Sequence, residues 1–220
     1  MRRADPSLRR DVPAPAEGPH AGRKIGVFGG TFDPLHLGHL VAAQEVMEAM
    51  ELDRILLVPA AHPPHKGTQG LTPGAARLRM VREAVVEDDR MDVCDLEVAR
   101  GGVSFTVDTL RELRRTHEDD HLFLVLGADQ WRTFGTWKDP DEVARLATVV
   151  VMTREGAGAS DDAGFGDAPT PPHAEVAVPR IDISSTDIRR RVRGGRSIRY
   201  LVPEAVRRII KAEKLYLRES

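Results

Sequence analysis

The sequence predicts an α/β fold: a doubly wound, mostly parallel, Rossmann-like sheet with helices on both faces and a small C-terminal helical segment. Three observations carry this expectation. Short β-rich runs alternate with helical patterns from residue 24 to about 152. Two of the runs, "RILLV" and "HLFLVLG", are almost wholly apolar, as strands buried on both faces should be. The first strand runs into a glycine-rich turn and then a helix, "KIGVFGGTFDPLHLGHL", the place where such sheets carry an anion site.

Taken in order, "KIGVF" (24–28) is the first strand and a helix follows from about Gly38 to Met50. "RILLV" (54–58) is the second strand, with a helix around Ala75 to Glu87 behind it. "MDVCDLEV" (91–98) reads as a further β-rich run, and Val107, Leu110 and Leu113 share one face of a helix from about Thr106 to Arg115. "HLFLVLG" (121–127) is the next strand. In "DPDEVARLA", Asp139 stands as N-cap, Pro140 at the first helical position and Glu142 three residues after the cap, which predicts a capping box. "TVVVM" (148–152) and "EVAVP" (175–179) are strands, "ISSTDIRRRVRGG" is a capped helix stopped by Gly194 and Gly195, and "VPEAVRRIIKAEKLY" is a final amphipathic helix. No internal repeat is found.

Composition bounds the function. With 220 residues, 41% of them hydrophobic, the chain can bury one good core, and a single domain over 23–220 is expected after a disordered leader, 1–22. Residues 155–175 carry no Lys or Arg and are rich in glycine and proline, which predicts a flexible acidic loop. The C-terminal helical segment runs from 184 to 220. Thirty-two Lys and Arg against 34 Asp and Glu give a net charge of −2, so no global field points to nucleic acid or an anionic membrane, and neither is expected as a partner. A single cysteine, Cys94, and no apolar run of membrane-spanning length predict a cytoplasmic protein. Homo-oligomerisation is left open.

Residues 26–40, "GVFGGTFDPLHLGHL", concentrate the chemistry. Glycines let main-chain N–H groups approach a phosphate, and the helix N-terminus favours negative charge. His36 and His39 stand three apart at the start of a helix, so both can face one ligand. No HExxH signature or cysteine cluster accompanies them, so no protein-held metal is expected. The glycine spacing matches neither GxGxxG nor a Walker loop. Ser184 or Ser185 is a natural N-cap for its helix. Asp33 can orient the turn or touch a substrate, and Asp129, at the end of a buried strand, can bond a ribose hydroxyl or cap the next helix.

Six separated motifs then stand in a familiar order: "GGTFDPLHLGHL" (29–40), "VPAAHPPHK" (58–66), "SFTVDTL" (104–110), "GADQW" (127–131), "TWKD" (136–139) and "ISSTDIRRRV" (183–192). Through them the chain, from about Lys24 to Tyr216, resembles the HxGH nucleotidyltransferase superfamily and, within it, the bacterial nicotinate-nucleotide adenylyltransferases. The resemblance implies adenylyl transfer from ATP to nicotinate mononucleotide, with Mg²⁺ carried as Mg-ATP, ATP and nicotinate mononucleotide as partners, and a role in NAD biosynthesis. It implies catalytic roles for His36, His39, Lys66 and Arg189. Gly29, Gly30, Thr31, Phe32, Asp129, Ser184, Ser185 and Thr186, with both histidines and Arg189, would hold ATP. Asp33, Lys66, Thr106, Val107 and Trp137 would hold the mononucleotide, the pyridine ring stacking on Trp137. Phe105 stands where many relatives carry tyrosine, and Lys138 where an aromatic is frequent. The alternatives are a sister enzyme acting on nicotinamide mononucleotide or phosphopantetheine, and a non-catalytic nucleotide or RNA binder using the arginines of 189–199.

Overall fold

The computed structural model describes residues 9–10, 22–63, 70–154 and 170–217. The leader, apart from the Arg9–Arg10 backbone and Gly22, and residues 155–169 of the acidic loop lie outside the described residues.

The elements in chain order are β1 (Arg9–Arg10), β2 (Lys24–Gly30), α1 (Leu37–Ala49), β3 (Arg54–Pro59), α2 (Gly74–Val85), β4 (Met91–Val93), α3 (Leu96–Arg100), α4 (Thr106–Thr116) and β5 (His121–Gly127). They continue as α5 (Ala128–Trp131), α6 (Pro140–Leu146), β6 (Thr148–Arg154), β7 (His173–Val178), α7 (Ser185–Arg193) and α8 (Glu204–Ala212). The strand order is β1-β7-β6-β5-β2-β3-β4, with β2 to β7 forming a six-strand parallel sheet and β1 pairing antiparallel to β7. The doubly wound α/β class is therefore what the sequence predicts.

The chain divides into two compact units. The first comprises Met1–Gly29, Ala42–Ile55 and Phe105–Arg180. Here β2 pairs with β5 from Lys24↔His121 to Phe28↔Val125, β5 with β6, and β6 with β7, all parallel. Leu122 to Leu126 and Val149 to Val151 are buried without interruption, which is why those runs show no alternation of polar residues. Trp131, Phe134 and Val143 complete this core.

The second unit comprises Gly30–Val41, Leu56–Ser104 and Ile181–Ser220. Its core joins Met80, Ile188, Ile198, Val202, Val206, Ile209 and Ile210, with Leu215 and Tyr216 packed against it. Each such side chain contributes about 1.5–3 kcal/mol by leaving water. These contacts hold α2, α7 and α8 together.

Two local expectations are corrected. Leu96 to Val98, read within a β-rich run, form the start of α3, because the strand ends where the Cys94 N–H donates to the Leu57 carbonyl, and Ala99 N–H then closes a helical turn on Asp95. Asp139 makes no capping box. It adopts a left-handed conformation (φ 50°, ψ 56°) and its side chain caps nothing. Arg111 claims both acids instead: its guanidinium donates to Glu142 through Nε at 3.0 Å and through Nη2, and to Asp139 Oδ2 at 3.4 Å. A charge-assisted fork outweighs the weaker cap.

Candidate nucleotide site

In the second unit the turn after β2 is built from the inside. The Ala60 N–H donates to the Gly30 carbonyl at 2.9 Å, and a Cβ on Gly30 would lie 2.8 Å from the Phe32 ring. Phe32 is buried at φ 47° and sets its ring edge-on to His39 at 5.1 Å. At Gly38 a Cβ would stand a tight 3.1 Å from His36 Nδ1. With no Cβ in the way, the His36 and His39 rings stack at 3.7 Å between centroids.

The hydrogen bonds decide which atoms these rings present. The main-chain N–H of His36 donates to His39 Nδ1 at 3.2 Å, so the neutral His39 ring carries its proton on Nε2 and is a donor there. His36 is 7% exposed, and burial pulls its pKa down to about 4, so it is neutral near pH 7. Its Nδ1 is buried with no hydrogen-bond partner among the described residues. A buried polar atom left open in this way calls for an account, and a ligand at the start of α1 would supply one.

The "ISSTDIR" segment is stitched to the same turn. Ser184 Oγ accepts from the Asp187 N–H at 3.1 Å and so caps α7, whereas Ser185 Oγ donates to the Pro34 carbonyl at 2.9 Å. Arg189 Nη1 donates to the Asp33 carbonyl at 2.7 Å, and Nη2 to Thr186 Oγ1 at 3.2 Å. The structure thus brings Gly30, Thr31, Phe32, Asp33, His36, His39, Ser184, Ser185, Thr186 and Arg189 together in one unit. The neighbouring arginines are otherwise engaged, Arg190 with Asp187 at 2.7 Å and Arg191 Nε with the Ser197 carbonyl at 2.9 Å.

Asp33 is turned inward. It is 3% exposed, its Oδ1 accepts from the Tyr216 hydroxyl at 2.7 Å and its Oδ2 from the Thr72 N–H at 3.4 Å. This is the geometry of a carboxylate that orients the turn. Arg77, buried to 1%, donates to the Thr72, Thr31 and Ala61 carbonyls at 2.8, 2.8 and 3.0 Å. Burial lowers its pKa and the nearby Asp33 opposes that shift, but a guanidinium keeps its charge. Neither Arg77 nor Tyr216 was singled out from sequence. The signal for Arg77 was an arginine on the face of "AARLRMV" shared with Met80 and Val81, at helical spacing.

Gly29, Thr106, Val107, Asp129 and Trp137 lie in the first unit. Gly29 precedes the turn, and a Cβ built on it would meet nothing within 4 Å. Asp129 is exposed in the first turn of α5. The Gln130 side chain, accepting from the Gly127 N–H at 3.1 Å, holds that turn in its place. Thr106 opens α4, whose N-terminus has no side-chain cap. Val107 is fully buried, side chain and main chain alike. Trp137 is half-buried with its ring 5.3 Å from Phe134, while Trp131, with no exposure, is the core tryptophan. Lys138 Nζ donates to Asp108 Oδ2 at 2.9 Å and lies 4.8 Å from the Phe105 ring centroid, so the two departures from the family pattern touch each other. Lys66 lies outside the described residues.

Among the described residues no group of three or more His, Cys, Asp or Glu could hold a metal ion, and no helix is long and apolar enough to cross a membrane. Imidazole N–H, guanidinium and helix N-termini suit an anion.

A parallel α/β sheet with a glycine-rich turn after its first long strand is the architecture of a nucleotide-binding class. The chain belongs to the cytidylyltransferase-like family, whose model matches residues 27–191. Within it, the chain falls among the bacterial nicotinate-nucleotide adenylyltransferases. It is 44% identical over 194 residues to the "Probable nicotinate-nucleotide adenylyltransferase" of Shouchella clausii, covering 88% of this chain and 97% of that protein. It is 47% identical over 193 residues to a protein of the same name from Thermus thermophilus, covering 88% and 99%. The fold matches the Plasmodium falciparum nicotinic acid mononucleotide adenylyltransferase complexed with NaAD at a TM-score of 0.70 and 17% identity, over 88% of this chain and 97% of that one.

Proposed function

We propose that this chain transfers the adenylyl group of ATP to nicotinate mononucleotide, releasing pyrophosphate and nicotinate adenine dinucleotide, as a step of NAD biosynthesis in the cytoplasm. The observation that carries the reading is one cluster: the stacked His36 and His39 at the start of α1, beside Arg189 bonded to the Asp33 carbonyl.

A 5′-phosphate oxygen attacks the α-phosphorus as the bond from that phosphorus to the pyrophosphate oxygen breaks. A phosphate monoester has its second pKa near about 6, so the nucleophile is already anionic and no general base is required. What the protein must supply is alignment and relief of charge on the phosphates. His39 Nε2–H and the Arg189 guanidinium do this as fixed donors, and the open His36 Nδ1 takes a third contact. Gly29, Gly30, Thr31 and Phe32 shape the ATP turn, and Ser184, Ser185 and Thr186 present the α7 N-terminus. Asp129 serves the ribose, and Lys66 a phosphate. Thr106, Val107 and Trp137 serve the pyridine nucleotide, while Asp33 orients the turn from within. Mg²⁺ carried on the ATP polyphosphate would supply neutralisation of the leaving pyrophosphate; the donors here fit the anion, not the ion. We read residues 23–220 as one nucleotidyltransferase domain that needs neither nucleic acid nor a membrane, whether it acts singly or as a homo-oligomer.

The test is pyrophosphate release from ATP with nicotinate mononucleotide, nicotinamide mononucleotide and phosphopantetheine in parallel. Nicotinate mononucleotide should be preferred by a wide margin, and equal turnover of either competitor overturns the reading.

A further inference from the structure

Asp33 is where two remote segments of the second unit meet. Tyr216, 183 residues away in sequence, donates its hydroxyl to Asp33 Oδ1 at 2.7 Å. Arg189, 156 residues away, donates to the main-chain oxygen of the same residue, also at 2.7 Å. Tyr216 sits in a turn after α8 at φ 63°, with its ring packed against the Met80–Ile188–Ile210 core. Burial and the adjacent Asp33 carboxylate raise the phenol far above its ordinary range, so it stays protonated and remains a donor.

We propose that Tyr216 is a positioning residue for adenylyl transfer: by holding the Asp33 side chain it fixes the Asp33 carbonyl, and that carbonyl registers Arg189 for the ATP phosphates. The inference rests on reading Arg189 as a phosphate ligand. An arginine near a surface helix can point in many directions, and a ligand must then select one of them. Arg189 has five N–H donors. One on Nη1 is spent on Asp33 and one on Nη2 on Thr186, which fixes the plane of the fork and leaves three for an anion. The fixed point is only as rigid as Asp33. Among the described residues its side chain accepts from the Thr72 N–H at a long 3.4 Å and from the Tyr216 hydroxyl at 2.7 Å, so of these two bonds the phenol is the tighter restraint.

The experiment is a kinetic double-mutant cycle, with ATP varied at saturating nicotinate mononucleotide. Tyr216→Phe keeps the ring in the core and deletes only the donor. It should lower kcat/KM for ATP about tenfold, the scale of a buried acceptor left unpaired. KM for nicotinate mononucleotide should change by less than about twofold. In an Arg189→Ala background the same substitution should change kcat/KM for ATP by less than about twofold, because the residue it acts through is gone. An equal factor in both backgrounds, a loss shared by both substrates in step with Tm, or no loss at all overturns the inference. Arg189→Ala with unaltered ATP kinetics removes the reading of Arg189 itself, and this inference with it.

Discussion

The main-chain N–H of His36 donates to His39 Nδ1 at 3.2 Å, and this bond leaves Nε2 as the atom on which a neutral His39 carries its proton. Two rings stacked at 3.7 Å are thereby given different parts: one is a fixed donor, the other a buried imidazole with an open Nδ1.

His39→Ala should lower kcat about 100-fold, the scale seen when a preorganised donor is lost, with Tm nearly unchanged because the ring is only half-buried. His39→Gln, whose amide restores an N–H donor on a flexible stem, should recover about tenfold of that loss. Near wild-type kcat in the alanine variant would remove His39 from the chemistry.

His36 predicts a pH dependence of stability. Its folded pKa of about 4 lies below the ordinary 6.5, so the unfolded chain binds the extra proton first as pH falls. Its contribution is therefore intact above about pH 6.5 and declines from there to about pH 4. The loss amounts to at most about 3 kcal/mol. Urea titrations at pH 7.5 and 5 should show this decline in the wild type and much less of it in His36→Asn.

Asp120 acts in a lower window. Burial pushes its carboxyl up, but hydrogen bonds from the Arg23 and His117 side chains outweigh that and hold it at about 2. A depressed carboxylate stabilises the fold above its unfolded pKa near 3.8 and ceases to do so as pH falls towards 2. Asp120→Asn should therefore destabilise the protein at pH 7 and flatten the acid limb between about pH 4 and 2, as followed by circular dichroism.

Arg77→Met removes a buried cation from three main-chain carbonyls and from the neighbourhood of Asp33. Breaking such an arrangement from one side costs about 3–5 kcal/mol. Denaturant unfolding should show a loss of that size, and a loss below about 1 kcal/mol would make Arg77 an ordinary surface residue that happens to be covered.

Trp137→Ala should raise KM for nicotinate mononucleotide roughly tenfold and leave KM for ATP little changed, because indole stacking contributes about 1–3 kcal/mol per ring. Trp131→Ala, by contrast, opens a fully buried site and should cost about 3–5 kcal/mol of stability. If Trp137→Ala instead weakened both substrates along with Tm, Trp137 would be a second core anchor.

By itself the sequence determined the fold class and the motif positions. The β-rich and helical runs alternate, and the strand predicted from "HLFLVLG" coincides with β5 because five consecutive buried residues, Leu122 to Leu126, need no periodicity to be recognised. A cap at Ser184 or Ser185 was legible because capping is local, the acceptor and the N–H it takes lying three residues apart, and the structure settles on Ser184. The glycines, histidines and arginine of the candidate site were legible as motifs for the same reason, each being a short pattern tied to one turn or helix start.

Tertiary structure alone decided what those residues do to one another. The predicted capping box of Asp139 and Glu142 does not form: Asp139 is left-handed, and Glu142 is taken by a guanidinium fork from Arg111, 31 positions away, which binds a carboxylate more strongly than one main-chain N–H does. Asp33 could be read from sequence as either an orienting or a contacting group. Its environment is set by Tyr216, Thr72 and Arg77, each brought to it by the packing of α2, α7 and α8. The tautomer of His39 likewise follows from where a ring comes to rest against a backbone N–H. Local patterns are written in consecutive residues, whereas a partner 183 positions distant is chosen by the core that carries it there.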